Sequence, residues 1–242
     1  MRGLREGGDS GLIHGNTGKP SNRKAAEGLR ERALKAYRER YSDFGPTFAA
    51  EKLAEAEGIR ISKDSLRRWL TEEGLWKGTR RGREHRSRRA RRECFGELIP
   101  FDGSRHDWFE GRRGKCCLMT MIDDATNVRH VQFFEEETTA AAMTVLSYWI
   151  KTYGILKALY CDHKNAFVLV REPTDAELLA GITKPESHFE KACGKLGVEV
   201  IPANSPQAKG RVERNHGLDQ DRLVKEMRLA GISTIAEAHP VS

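Results

Sequence analysis

Three carboxylates and a patch of cations carry the chemistry this sequence suggests. Glu213 sits in the stretch Ser205-Pro206-Gln207-Ala208-Lys209-Gly210-Arg211-Val212-Glu213-Arg214, with Lys209, Arg211 and Arg214 around it. Ser205 is a good helix N-cap and Pro206 suits the next position, so a helix is predicted to start here. Lys209 and Glu213, four apart, share a helix face, and an exposed salt bridge is the plain reading. The sharper reading is a metal-binding carboxylate among cations that hold a polyanion. Partners for it lie upstream. Asp102 ends the run Glu97–Asp102 and Asp162 follows Leu156–Cys161. If both runs are strands and adjacent, the two carboxylates emerge at one sheet edge and the last helix can bring Glu213 beside them. Three such oxygen donors suit Mg2+ or Mn2+, hard cations that keep positions open for water and phosphate. Two ions about 4 Å apart can activate a water or a 3′-hydroxyl and stabilise the leaving oxygen of a phosphodiester.

The elements that must position these groups follow from periodicity. Glu97–Asp102, Cys116–Asp123 and Val128–Phe134 read as three strands, the first ending in Gly103-Ser104, with turns at Gly111–Lys115 and Asp124–Asn127. Thr138–Thr152 reads as a helix burying Ala141, Val145, Leu146, Trp149 and Ile150. Leu156–Cys161 is a fourth strand, 163–184 an insertion, Pro185–Leu196 a helix and Val198–Ile201 a fifth strand before the long final helix. The expected class is a mixed α/β sheet flanked by helices. Asp123 and Asp124 sit at a turn, where Asp bonds backbone amides. Asp107 and His106 suit either support of the site or a hairpin that simply buries Trp108 and Phe109, and packing is the favoured reading. His163 and Lys164, just past a strand end, suit phosphate contact and plain exposure equally.

The front of the chain reads differently. Residues before 94 carry 24 Lys/Arg against 14 Asp/Glu, and those from Cys94 onward 18 against 21. A basic half joined to a mildly acidic one suggests a nucleic acid partner. Residues 1–24, rich in Gly, Arg, Asn and Lys, read as an extended or disordered joining segment. Helices are expected at Ala25–Tyr41, Thr47–Glu57 (burying Phe48, Ala49, Leu53 and Ala56) and Lys63–Glu73. The last two, joined by a tight turn, form a helix-turn-helix pattern over 25–76, with Lys63, Arg67 and Arg68 toward a major groove. Trihelical bundles without DNA share this pattern. Lys77–Arg92 holds nine Lys/Arg in sixteen residues, among them Arg80, Arg81, Arg83, Arg88 and Arg89. This linker, 77–93, would tether phosphates in a salt-dependent way.

Five cysteines without a C-x-x-C pair argue for reduced thiols rather than a zinc site. No run approaches the roughly 18 apolar residues of a membrane span, so no membrane partner is expected.

Four segments together carry a family resemblance: Phe101-Asp102-Gly103-Ser104-Arg105-His106-Asp107-Trp108-Phe109, Ile122-Asp123-Asp124-Ala125-Thr126, Tyr160-Cys161-Asp162, and Ser205–Asn215. In this order they resemble the core of retroviral-integrase-like bacterial transposases, most of all the ISNCY type, and the similarity extends to Gly45-Pro46-Thr47 and Gly74-Leu75-Trp76. The resemblance implies a ribonuclease H-like core over 94–242 with Asp102, Asp162 and Glu213 as metal ligands. It implies two Mg2+ or Mn2+ ions, cleavage and strand transfer at insertion-sequence ends, and double-stranded DNA as partner, both terminal repeats and target. A homo-oligomer on DNA and a cytoplasmic, nucleoid-associated location are also implied. The 51 positions from Asp162 to Glu213 exceed the commonest spacing of this superfamily, and the insertion accounts for them. Relatives of this kind begin earlier and continue further, so the chain is expected to be truncated at both ends. A non-catalytic DNA-binding relic or repressor stays open as the alternative reading, and a nuclease acting on RNA as a weaker one.

Overall fold

The computed structural model describes residues 26–78, 90–162, 167–169, 171–203 and 206–239, with side chains from Val212 onward in the last segment. These fall into two compact units, one on either side of residue 84.

The first unit is three helices, α1 (Leu29–Arg40), α2 (Pro46–Ala56) and α3 (Lys63–Glu72). Their shared core holds Leu34, Tyr37, Phe44, Phe48, Leu53, Leu66, Trp69 and Leu70. Fully burying side chains of this size contributes about 1.5–3 kcal/mol each. Tyr37 joins the core with its hydroxyl satisfied, donating to the Phe44 carbonyl at 3.0 Å. Pro46 opens α2, and Ser62 caps α3 by accepting from the Ser65 amide at 3.1 Å. Ala56, expected inside, is exposed. It is the last residue of α2, where the chain leaves the core through Gly58 at φ 65°.

The second unit is built on a five-stranded sheet in the order β3-β2-β1-β4-β5. Its strands are β1 (Ile99–His106), β2 (Cys116–Ile122), β3 (Arg129–Phe134), β4 (Ala158–Cys161) and β5 (Glu199–Pro202). The first three form an antiparallel meander, while β4 runs parallel to β1 and β5 parallel to β4. Helices α4 (Thr139–Tyr153) and α6 (His188–Lys195) lie on one face, over Phe101, Cys117, Met119 and Met121. The long α7 (Pro206–Leu229) and the short α8 (Ile235–Ala238) cover the other, over Cys116, Leu118, Val131 and Phe133. A mixed sheet in this order, sandwiched by helices, is the ribonuclease H-like arrangement.

Three local expectations change. Gly103-Ser104 does not end the first strand: β1 continues to His106, so Asp102 lies within the strand. Gly103 instead marks a close approach, since a Cβ there would stand 2.7 Å from Glu137 Cδ and 2.9 Å from Cys117 Sγ. The insertion contains a helix, α5 (Asp175–Leu179), with a complete capping box between Thr174 and Glu177. Its ends are pinned together: Ser187 Oγ donates to the Phe167 carbonyl at 2.6 Å, and the Leu169 amide donates to Glu190 at 3.1 Å. The third change is α8, whose four residues are too few for a periodic signal.

Candidate active site

Parallel pairing sets the first two carboxylates. Ile99 pairs with Leu159 and Pro100 with Tyr160. Asp102 and Asp162, the latter directly after β4, each follow two residues beyond that last pair. Neighbouring strands lie about 4.8 Å apart, and residues at equal register share a face. For Asp102 that face is the one covered by α7, because its cross-strand neighbour Thr120 stands beside Val131, which packs with Val224 and Met227.

Helix α7 is held to this face by apolar and polar contacts together. Val212, His216, Asp219, Val224 and Met227 are buried, following a helical period. His216 Nδ1 lies 3.9 Å from Asp102 Oδ2. Gln220 donates to Ser104 Oγ at 3.1 Å, and Arg129 on β3 bonds the nearly inaccessible Asp219. Glu213 is exposed, three residues before His216 and so about 4.5 Å further along the helix axis.

The structure therefore puts Asp102 within β1 and Asp162 directly after β4, each two residues past the paired Pro100 and Tyr160, and puts Glu213 on the helix whose His216 approaches Asp102. It does not gather all three into one cluster: among the described residues, no three His, Cys, Asp or Glu side chains are grouped closely enough to hold a metal ion. The donor type nevertheless fits the expected cation, since Mg2+ and Mn2+ take carboxylate oxygens as ligands.

The cationic candidates divide as follows. Arg214 is exposed. Lys209 and Arg211 belong to the α7 backbone, but their side chains lie outside the described residues, as do Arg80, Arg81, Arg83, Arg88, Arg89, His163 and Lys164. Lys63, Arg67 and Arg68 are all exposed on α3. Arg67 bonds Asp64 at 2.7 Å and Arg68 lies 3.8 Å from Glu72, so both guanidinium groups have acidic neighbours on their own helix.

The remaining acids serve the fold. Asp123 accepts from the Thr126 amide at 2.7 Å and the Gly96 amide at 2.8 Å, and Asp124 accepts from the Arg92 amide at 2.8 Å. Asp107 accepts from the Gly111 amide at 3.0 Å, while Trp108 and Phe109 are fully buried. Two residues near the site escaped the sequence reading. His216 had a signal, its i, i+3 placement from Glu213. Thr120, the cross-strand neighbour of Asp102, had none, because β2 is buried along its whole length and shows no alternation.

No family model matches the chain. It is 41% identical over 230 residues to y4bF, a Sinorhizobium fredii protein named as a transposase, an alignment covering 95% of this chain and 49% of that one. It is 27% identical over 268 aligned positions to the transposase for insertion sequence IS1202 of Streptococcus pneumoniae, covering 96% and 56%. The chain thus spans about half the length of these curated relatives. Among solved structures it is similar to the HTLV-2 integrase catalytic core domain in complex with magnesium, at 16% identity and a TM-score of 0.45 over 61% of this chain and 83% of that one. The simian T-cell lymphotropic virus intasome gives 15% identity and a TM-score of 0.49 over 86% and 66%. At those scores the strand order, not the superposition, identifies the fold. By sequence, the similarity of this chain is to transposases.

Proposed function

We propose that this chain is the DDE-type catalytic core of an insertion-sequence transposase, of ISNCY type, joined to a helix-turn-helix DNA-binding region. The observation that supports the reading is the parallel pairing of β1 with β4, two residues before Asp102 and Asp162, beside a helix that bears Glu213 and whose His216 lies 3.9 Å from Asp102. Asp102, Asp162 and Glu213 would hold two Mg2+ or Mn2+ ions, which when bound supply a Lewis acid for the attacking and leaving oxygens. Asp102 within β1 and Asp162 directly after β4 would be held by the sheet, so little reorganisation would be needed at the moment of attack. Lys209, Arg211 and Arg214 hold phosphates, which position DNA without reading its sequence. Water adds to the phosphorus at an element end and the P–O3′ bond breaks, leaving a 3′-hydroxyl. That hydroxyl then attacks a target phosphorus and displaces a second 3′-oxygen, so one phosphodiester replaces another. Lys63, Arg67 and Arg68 on α3, with the basic linker, engage the terminal repeats. The working form is an oligomer on DNA, in the cytoplasm with the nucleoid.

The test is a nicking assay on a labelled terminal repeat in Mg2+. Asp102→Ala, Asp162→Ala and Glu213→Ala each abolish nicking while DNA binding, titrated across salt concentrations, stays largely intact. Equal nicking by the Glu213→Ala protein overturns the assignment. One observation favours a second reading, a non-catalytic DNA-binding protein that occupies element ends: Glu213 is exposed and outside any three-ligand group among the described residues. Salt-sensitive binding with no nicking by the unmodified chain selects it.

A further inference from the structure

Thr120 is the one hydroxyl residue on β2, among Cys116, Cys117, Leu118, Met119, Met121 and Ile122. It is fully buried, and among the described residues its Oγ1 has no hydrogen-bond partner. Buried hydroxyls are nearly always satisfied, because leaving one unpaired forfeits its hydration without return. Valine has the same shape and β preference at no such cost, so packing alone does not account for a threonine here. Its position does. Thr120 is the direct cross-strand partner of Asp102, and directly opposed residues project from the same sheet face with Cβ atoms about 5 Å apart. Both lie under α7, where His216 approaches Asp102 Oδ2 from above.

We propose that Thr120 is a positioning residue for Asp102, its hydroxyl donating to the carboxylate when Asp102 ligates a divalent cation. A carboxylate has four lone-pair sites over two oxygens, so one oxygen can ligate while the other accepts from a neighbour. Such outer partners orient a ligating carboxylate, and their loss typically weakens metal affinity 10–100-fold. The inference rests on the reading of Asp102 as a metal ligand.

The experiment uses the full chain and Mn2+ as probe, with its dissociation constant read by paramagnetic resonance of the free ion and the melting temperature read with and without the ion. Thr120→Val is expected to melt at or above the unmodified protein without metal, because an unpaired buried hydroxyl has been removed. Its Mn2+ affinity is expected to fall by about 10-fold or more, and Thr120→Ser to restore it. Asp102→Asn separates the two claims. If Asp102→Asn lowers Mn2+ affinity while Thr120→Val does not, Thr120 has no positioning role and Asp102 remains a ligand. If Asp102→Asn leaves affinity unchanged, the metal reading of Asp102 fails and takes this proposal with it. A lower metal-free melting temperature for Thr120→Val, with lost affinity that serine does not restore, assigns Thr120 to core packing and also overturns the proposal.

Discussion

Arg129, at the start of β3, donates through one guanidinium nitrogen to both carboxylate oxygens of Asp219 on α7, at 2.8 and 2.9 Å. The pair is lopsided in exposure: the arginine side chain is 41% accessible and the aspartate 5%. Removing either partner therefore has unequal consequences. Arg129→Ala leaves a buried carboxylate without its cation and is expected to cost about 1–3 kcal/mol. Asp219→Asn leaves a guanidinium that can turn to water and is expected to cost less. Urea unfolding of both variants checks this, and an equal or reversed order would show that the unequal burial of the two partners does not set the cost.

Gly103→Ala tests the close approach beneath β1. The new methyl group meets Glu137, whose end can move, and Cys117 Sγ, which is buried. Overpacking of this kind costs about 1–3 kcal/mol. Adding Cys117→Ala is expected to recover part of the loss, because contacting sites are not additive. Thermal unfolding of the two single variants and the double variant reads the coupling, and strict additivity would argue against the clash.

Thiol chemistry should single out one cysteine. Burial pushes the Cys193 thiol up to about 12, with Glu190 adding to it, and the Cys116 thiol up to about 11. Cys117 and Cys161 are buried as well, and Cys94 is exposed. Thiolate is the reactive species. Alkylation at pH 8 followed by peptide mass spectrometry is expected to label Cys94 alone in the native protein and all five cysteines in denaturant.

The insertion should respond to acid in a particular window. Arg171 hydrogen bonds, then those from Thr174, hold the Glu177 carboxyl down to about 2. A depressed carboxylate contributes order that is fully present above its unfolded value, 4.5, and is lost as pH falls through its folded one. Order around α5 is thus expected to persist at pH 4.5 and to fade toward about 2. Arg171→Ala should move the Glu177 titration, followed by carboxyl chemical shift, back toward the ordinary range. An unchanged midpoint would show that Arg171 is not the cause.

How much of this was legible in the sequence depended on which force set each element. The core helices were, because Val145, Leu146 and Trp149 repeat at helical spacing and burial enforces that spacing. Asp123 and Asp124 were legible too, since a turn leaves amides that short acids satisfy. The extent of β1 was not: Gly103 reads as a strand end by composition, yet it is required by a neighbour, Cys117, that is distant in sequence. The seating of α7 was hidden for a related reason. Its sheet-facing side includes His216 and Asp219, polar residues buried by contacts with Asp102 and Arg129, and a hydropathy pattern counts them as surface.

The pinned base of the insertion has a consequence for counting. With Phe167 tied to Ser187 and Leu169 to Glu190, the excursion between them leaves the core and returns to nearly the same point. Lengthening such a closed loop costs only about 0.6 kcal/mol for each doubling. The 51-position interval between Asp162 and Glu213 is therefore not a ruler: residues can be gained or lost near Leu179 and Ile182 without shifting β4 or α7. A motif defined by fixed spacing would overlook a chain of this kind, whereas one anchored on the strand before Asp162 and the helix bearing Glu213 would find it.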